Sequence, residues 1–205
     1  MKYLYGVIFL AFGMTISLPA HALFEARLTY GLLGSKPDLA PLFTAAPAGS
    51  LPSVAPTYGL GADFIVSPPF FPIGVGLRYE NMGLDVSSGA YQFKASYTRT
   101  AFLLNYRLID TLMFLGPIFS YGLSHSGELK ANQNGVETGK WTSDKISSYS
   151  VGLEAGVKLI GFHLGAEAGY EDFRWKDAKN SYNAASSQDI NMSGTYAKVL
   201  LGFGI

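Results

Sequence analysis

Charged side chains recur in this chain at every second position of several short segments. Glu25 and Arg27, Asp63, Arg78 and Glu80, Arg107, Glu154 and Lys158, Glu167 and Glu171, and Lys198 all fall on one parity of an alternating pattern. On a β-strand, alternate residues share a face. These six carboxylates and five bases, with His163 on the same parity, are therefore expected to line one interior. Such a set can form a polar path for ions or protons, or a network of ion pairs that fills the space. The near-balance of sign favours the network, because an unpaired buried charge is costly.

Other chemistry is poorly provided for. Ser124-His125-Ser126 is the one Ser/His cluster. A base must reach its nucleophile within hydrogen-bond distance, and adjacent strand residues point to opposite faces. His21, His125 and His163 show no metal-ligand spacing. Asn191-Met192-Ser193 matches a glycosylation sequon and is read as a chance match. The chain is expected to be no enzyme and to need no metal or cofactor.

The elements that must position the charges are strands. In residues 189–205, Thr195, Ala197, Val199, Leu201, Phe203 and Ile205 form one face, and Gly194, Tyr196, Lys198, Leu200, Gly202 and Gly204 the other. Seven earlier segments alternate in the same way: residues 24–34, 57–66, 73–86, 93–108, 112–130, one ending at 157 or 158, and 162–171. Pro117 lies inside the fifth and argues for a bulge or a lost ladder bond there. Residues 35–56 hold five prolines and read as a long loop, and residues 131–144 and 177–188 read as polar loops. Connections thus alternate between long and short. In the first loop Leu39, Leu42, Phe43, Leu51 and Val54 are apolar. They either present a contact surface or fold over a barrel mouth and are buried.

The composition says which face is which. Lys2, an apolar run over residues 4–16 and Ala20-His21-Ala22 make a secretory signal peptide, with cleavage expected after Ala22. Residues 23–205 then form one domain with 14 basic and 15 acidic residues, a net charge of −1. That excludes the basic stripe that nucleic acid requires. There is no cysteine, so an exported fold must stand without disulfides. Charged residues make up only 15% of the chain, against about 25% in soluble domains. Glycine reaches 24 residues and aromatics 14%.

An exported chain of this kind suits a closed all-β barrel of eight antiparallel up-and-down strands, apolar side out, in an outer membrane. The outward aromatics sort into two rings under this reading. Tyr30, Tyr58, Tyr79, Tyr121, Tyr149 and Tyr170 lie toward the long connections, and Phe24, Phe64, Tyr106, Phe162 and Phe203 toward the short ones. Barrel proteins carry such girdles at the two membrane interfaces.

The signal peptide, the eight alternating segments and the glycine-rich aromatic last strand together resemble the small outer-membrane β-barrel family of OmpA/OmpX type, with OmpW-like barrels as relatives of similar size. The resemblance implies an integral, multi-pass, porin-like protein of a Gram-negative-type cell envelope. It would meet outer-membrane lipids, lipopolysaccharide and, during biogenesis, the barrel-assembly machinery. An eight-stranded barrel is only wide enough for side chains to fill. A plugged lumen with a structural or surface-interaction role is therefore expected. The alternative is an OmpW-like channel for small apolar molecules.

Overall fold

The computed structural model describes residues 23–35, 37, 39, 42, 55–68 and 71–204. The expected leader, residues 1–22, and the loop residues Phe43, Leu51 and Val54 lie outside them. The strands are β1 (Phe24–Ser35), β2 (Ala55–Val66), β3 (Ile73–Ser88), β4 (Tyr91–Tyr106), β5 (Ile109–Asp110), β6 (Met113–Gln133), β7 (Val136–Thr142), β8 (Lys145–Leu159), β9 (Phe162–Asn180), β10 (Asn183–Asn191) and β11 (Gly194–Gly204).

Eight of these strands are the staves of a closed ring in the order β1, β2, β3, β4, β6, β8, β9, β11. Strand β11 returns to β1 in unbroken antiparallel register from Glu25↔Gly204 to Ser35↔Gly194. The fold is an eight-stranded antiparallel up-and-down barrel, as the alternation led one to expect. Residue parity builds it directly. Along β1, Phe24, Ala26, Leu28, Tyr30 and Leu32 face outward and are exposed, while Glu25, Arg27 and Thr29 are buried inside. Glycines at the seam make room for long cations. A Cβ on Gly31 would stand 3.1 Å from Cγ of Lys198, and one on Gly202 3.0 Å from Cγ of Arg27.

Two expectations need correction. Residues 131–144 and 177–188 are not loops. Strand β6 runs to Gln133, turns at Asn134-Gly135 and returns as β7, and β9 runs to Asn180 and returns as β10. Asn134 and Gly135 have φ of 53° and 78°, as the twist of a tight hairpin demands. The misreading has a physical cause: beyond the tyrosine level the alternation inverts. On β9, Phe173, Trp175 and Ala178 point inward and are buried, while Arg174, Lys176 and Lys179 are exposed. A sheet wall with water outside keeps its apolar side chains inside, so the polar residues mark the outer face of the sheet, not a loop.

Pro117 shows the lost ladder bond, one of the two outcomes expected there. Its register with β8 is unbroken at Pro117↔Leu153. On the other side the ladder with β4 ends at Asn105↔Ile118 and is continued by β5 at Leu115 and Phe114. The proline therefore marks a lost stretch of ladder. The bulge lies elsewhere: Ala101 pairs with Gly122 and Thr100 with Ser124, which leaves Leu123 as the extra residue.

Candidate functional site

The interior of the barrel is the site, and its centre is Arg78. This fully buried guanidinium donates through Nε and Nη2 to the two oxygens of Asp63, 2.8 Å each. Its Nη1 and Nη2 also reach the two oxygens of Glu167 at 2.9 and 2.7 Å. Asp63 and Arg78 are direct neighbours across β2 and β3, whereas Glu167 comes from β9 on the far wall. The planar fork of arginine suits this double bidentate grip. Tyr196 Oη donates to Glu167 at 2.7 Å.

Toward the short turns lies a second layer. Arg27 donates to Glu25 at 2.9 Å and to Glu154 at 2.6 Å. Arg107 donates to Glu154 at 2.9 Å, to Glu25 at 3.0 Å and to Asp110 at 3.2 Å. Lys158 also pairs with Asp110. His163 Nδ1 is 2.6 Å from Glu25, and Asn105 donates to Glu154 at 2.9 Å.

Toward the long hairpins lies a third layer. Glu80 accepts from Lys198 at 2.5 Å and from Arg99 at 2.7 Å. Glu171 stands 3.2 Å from Arg99. All eleven charges read from the sequence thus face the interior, where they engage in ion pairs. The pairing runs mainly across the lumen. Glu25 and Lys198, on the two strands of the closing seam, do not pair with each other: Glu25 is bound by Arg27 and Arg107, and Lys198 by Glu80. The reason is register: Glu25 lies opposite Gly204 and Lys198 opposite Gly31, six residues apart along the seam.

Two charges escaped the sequence reading, Arg99 and Asp110. Arg99 has the parity of Arg107, but the apolar Ala101 and Leu103 between them blurred that parity. Both are buried and inward; Leu103 packs with Ile65 and Ile118 on one side of the lumen. Asp110 read as a turn residue, yet it is buried beneath Arg107 and Lys158.

Above the third layer the interior changes character. Leu39, Leu42, Phe93, Tyr97, Trp141, Phe173, Trp175 and Met192 belong to one apolar cluster. Of the five apolar loop residues, Leu39 and Leu42 are buried here, and Phe43, Leu51 and Val54 lie outside the described residues.

The outer face of the staves carries the aromatics. The six tyrosines of the expected upper ring are exposed, with Tyr121 directly beside Tyr149. The five of the lower ring are exposed too. Phe24 stacks on Phe64 at 6.2 Å, and Phe162 meets Phe203 edge-on at 5.4 Å. Leu60, Leu77, Leu153 and Leu201 fill the belt between the rings and point outward.

Among solved structures, the chain is similar to Neisserial surface protein A at 11% identity and a TM-score of 0.48, covering 89% of this chain and 97% of that one. It is similar to the outer membrane protein OprG from Pseudomonas aeruginosa at 16% identity and 0.49, covering 92% and 99%. It is also similar to Ail, the attachment invasion locus protein of Yersinia pestis, at 14% and 0.44, covering 88% and 96%. No protein-family model and no curated protein matches the sequence.

Among the described residues the fold makes one Ser–His pair, though not within the 124–126 cluster. Strict alternation from Tyr121 would put His125 outside. The bulge at Leu123 turns it inward, and its Nε2 lies 2.8 Å from Ser148 Oγ. Arg99 Nε also donates to that oxygen at 2.7 Å. Ser148 is buried with its hydroxyl engaged on both sides, which is the geometry of a packed polar layer. Burial, reinforced by the Arg99 guanidinium, pushes the His125 pKa down to about 4. On the outer surface, Lys130 and Lys140 both donate to Glu128, at 2.8 and 2.6 Å. These hydrogen bonds, that of Lys130 first, hold its carboxyl below the usual range.

Proposed function

We propose that this chain is an integral outer-membrane β-barrel with a plugged lumen, which acts through its extracellular sheet and loops in a structural or surface-interaction role. One observation carries the reading: the amphipathicity of the staves is inside-out, and it reverts to the soluble pattern beyond the tyrosines. An apolar belt between two aromatic rings is what lipid selects, and water would penalise so large an exposed apolar surface. A closed ring satisfies every backbone group without an edge, the condition for strands in hydrocarbon. The long hairpins would then be extracellular and the short turns periplasmic. Outer-membrane lipids, lipopolysaccharide and the barrel-assembly machinery are the partners this placement entails.

The ion-pair layers support the plug. Arg78 reaches both walls, so an ion would have to displace paired charges to pass. The test is conductance of the purified protein in a planar bilayer. No steady conductance is expected; a stable open level in every insertion would replace this reading with a pore. A second reading, a route for small apolar molecules, is favoured by the apolar interior above the third layer. Uptake of a hydrophobic dye into proteoliposomes faster than into empty vesicles would support it.

A further inference from the structure

Turns that face water favour Gly, Pro, Asn, Asp and Ser. The short turns of this barrel instead expose Phe71, Leu108, Ile109, Leu112 and Ile160, with Leu112 at 79% and Ile160 at 101% of full exposure. Ile160 is placed there against its own backbone preference. Its φ is 39°, in the left-handed region that β-branched residues rarely adopt, and an Asn-Gly turn would fit the same hairpin without strain. The charges of these turns are withdrawn: Arg107, Asp110 and Lys158 pair with one another inside the barrel end. The turns are also stitched side by side. Arg107 N donates to Pro72 O at 2.7 Å, Lys158 N to Leu112 O at 2.8 Å and Gly204 N to Gly161 O at 2.8 Å. The result is a continuous rim whose described turn residues expose apolar side chains and no charge.

The height of the belt says what covers this rim. From Thr195 to Phe203 the strand advances roughly 20 Å, at about 3.3 Å per residue and a tilt of about 40°. The apolar band of such a barrel should be about 25 Å tall. The shortfall is roughly two residues, the separation of Ile160 from Phe162. Resting on the membrane reading above, we propose that the rim is a lipid-contacting surface, seated at the acyl–headgroup boundary of the inner-leaflet phospholipid. The rim completes the band, and the phenylalanine ring lies within the hydrocarbon rather than at its edge. Phospholipid is the occupant because the rim is continuous with the belt and its described turn residues expose no charge by which a protein partner would be oriented.

The chain has no cysteine, so a single introduced cysteine takes a nitroxide spin label uniquely. Leu112→Cys and Ile160→Cys would be labelled in phosphatidylethanolamine–phosphatidylglycerol vesicles. Leu201→Cys serves as the belt reference and Val136→Cys as the reference at a long-hairpin tip. Collision with oxygen, which partitions into lipid, is compared with collision with a water-soluble nickel chelate. Gel migration before and after boiling checks that each variant is folded. At positions 112 and 160 the oxygen-to-nickel ratio is expected to exceed that at 136 several-fold and to approach that at 201. Nickel access at 112 and 160 with lipid access at 201 overturns the rim proposal alone and leaves the turns open to water or a protein. Nickel access at 201 as well overturns the membrane reading on which the proposal rests.

Discussion

At the residue scale the molecule depends on a few arginines. Arg78 holds Asp63 and Glu167 together. Arg78→Ala would leave two buried carboxylates facing each other, at a cost on the order of 3–5 kcal/mol. The urea midpoint of refolded protein in vesicles should fall clearly. The outward Leu77→Val removes one methylene from a surface that meets lipid, and should shift it far less. His125 yields a pH dependence. Its pKa is lowered from 6.5 to about 4 in the folded chain. The unfolded chain therefore binds more protons between these values, and stability falls as pH falls from about 6.5 to about 4. His125→Gln keeps a hydrogen-bonding group toward Ser148 but cannot titrate. The fall in unfolding midpoint between pH 7 and pH 5 should be smaller in that variant than in the parent.

At the element scale the long hairpins are the informative feature. Strands β6, β7, β9 and β10 continue the barrel wall beyond the tyrosine ring and close over an apolar cluster in which Trp141 and Trp175 are the largest side chains. Stability there is that of an ordinary hydrophobic core, separate in kind from the ion-paired layers below. Trp175→Ala should cost about 3–5 kcal/mol locally. Trypsin should then cut at Lys176 or Lys179 in the variant and not in the parent. The staves themselves should survive, so a gel of the cut, unboiled protein should still show the fast-migrating folded form.

At the scale of the whole molecule, closure organises everything else. The β1–β11 seam pairs the first stave with the last over eleven residues, so no part of the ring is complete before the chain is. Unboiled protein in detergent should run differently from boiled protein, and its circular dichroism should be dominated by strand. A protein truncated before β11 should lose both properties together, because an unclosed ring exposes two edges to lipid.

The staves and their facing follow from the amino-acid pattern alone. Eight alternating segments, with glycine and charge mostly on one parity and the exposed leucines and tyrosines on the other, leave only one side for lipid, and a slip of one residue would bury those outward leucines and expose the inward glutamates. That pattern therefore named eleven inward charges and two aromatic rings from parity alone. What those charges bind follows from the closed fold. Partners such as Arg27 and Glu154, or Lys198 and Glu80, are far apart in the chain and meet across the lumen, and no local pattern encodes the diameter that brings them within reach. The same holds for His125. A single unpaired residue, Leu123, reverses its face, and a bulge depends on the partner strand as much as on its own sequence. The hairpins above the tyrosines were misread for a third reason. The apolar-out code is a property of the solvent, and it inverts where the solvent changes from lipid to water.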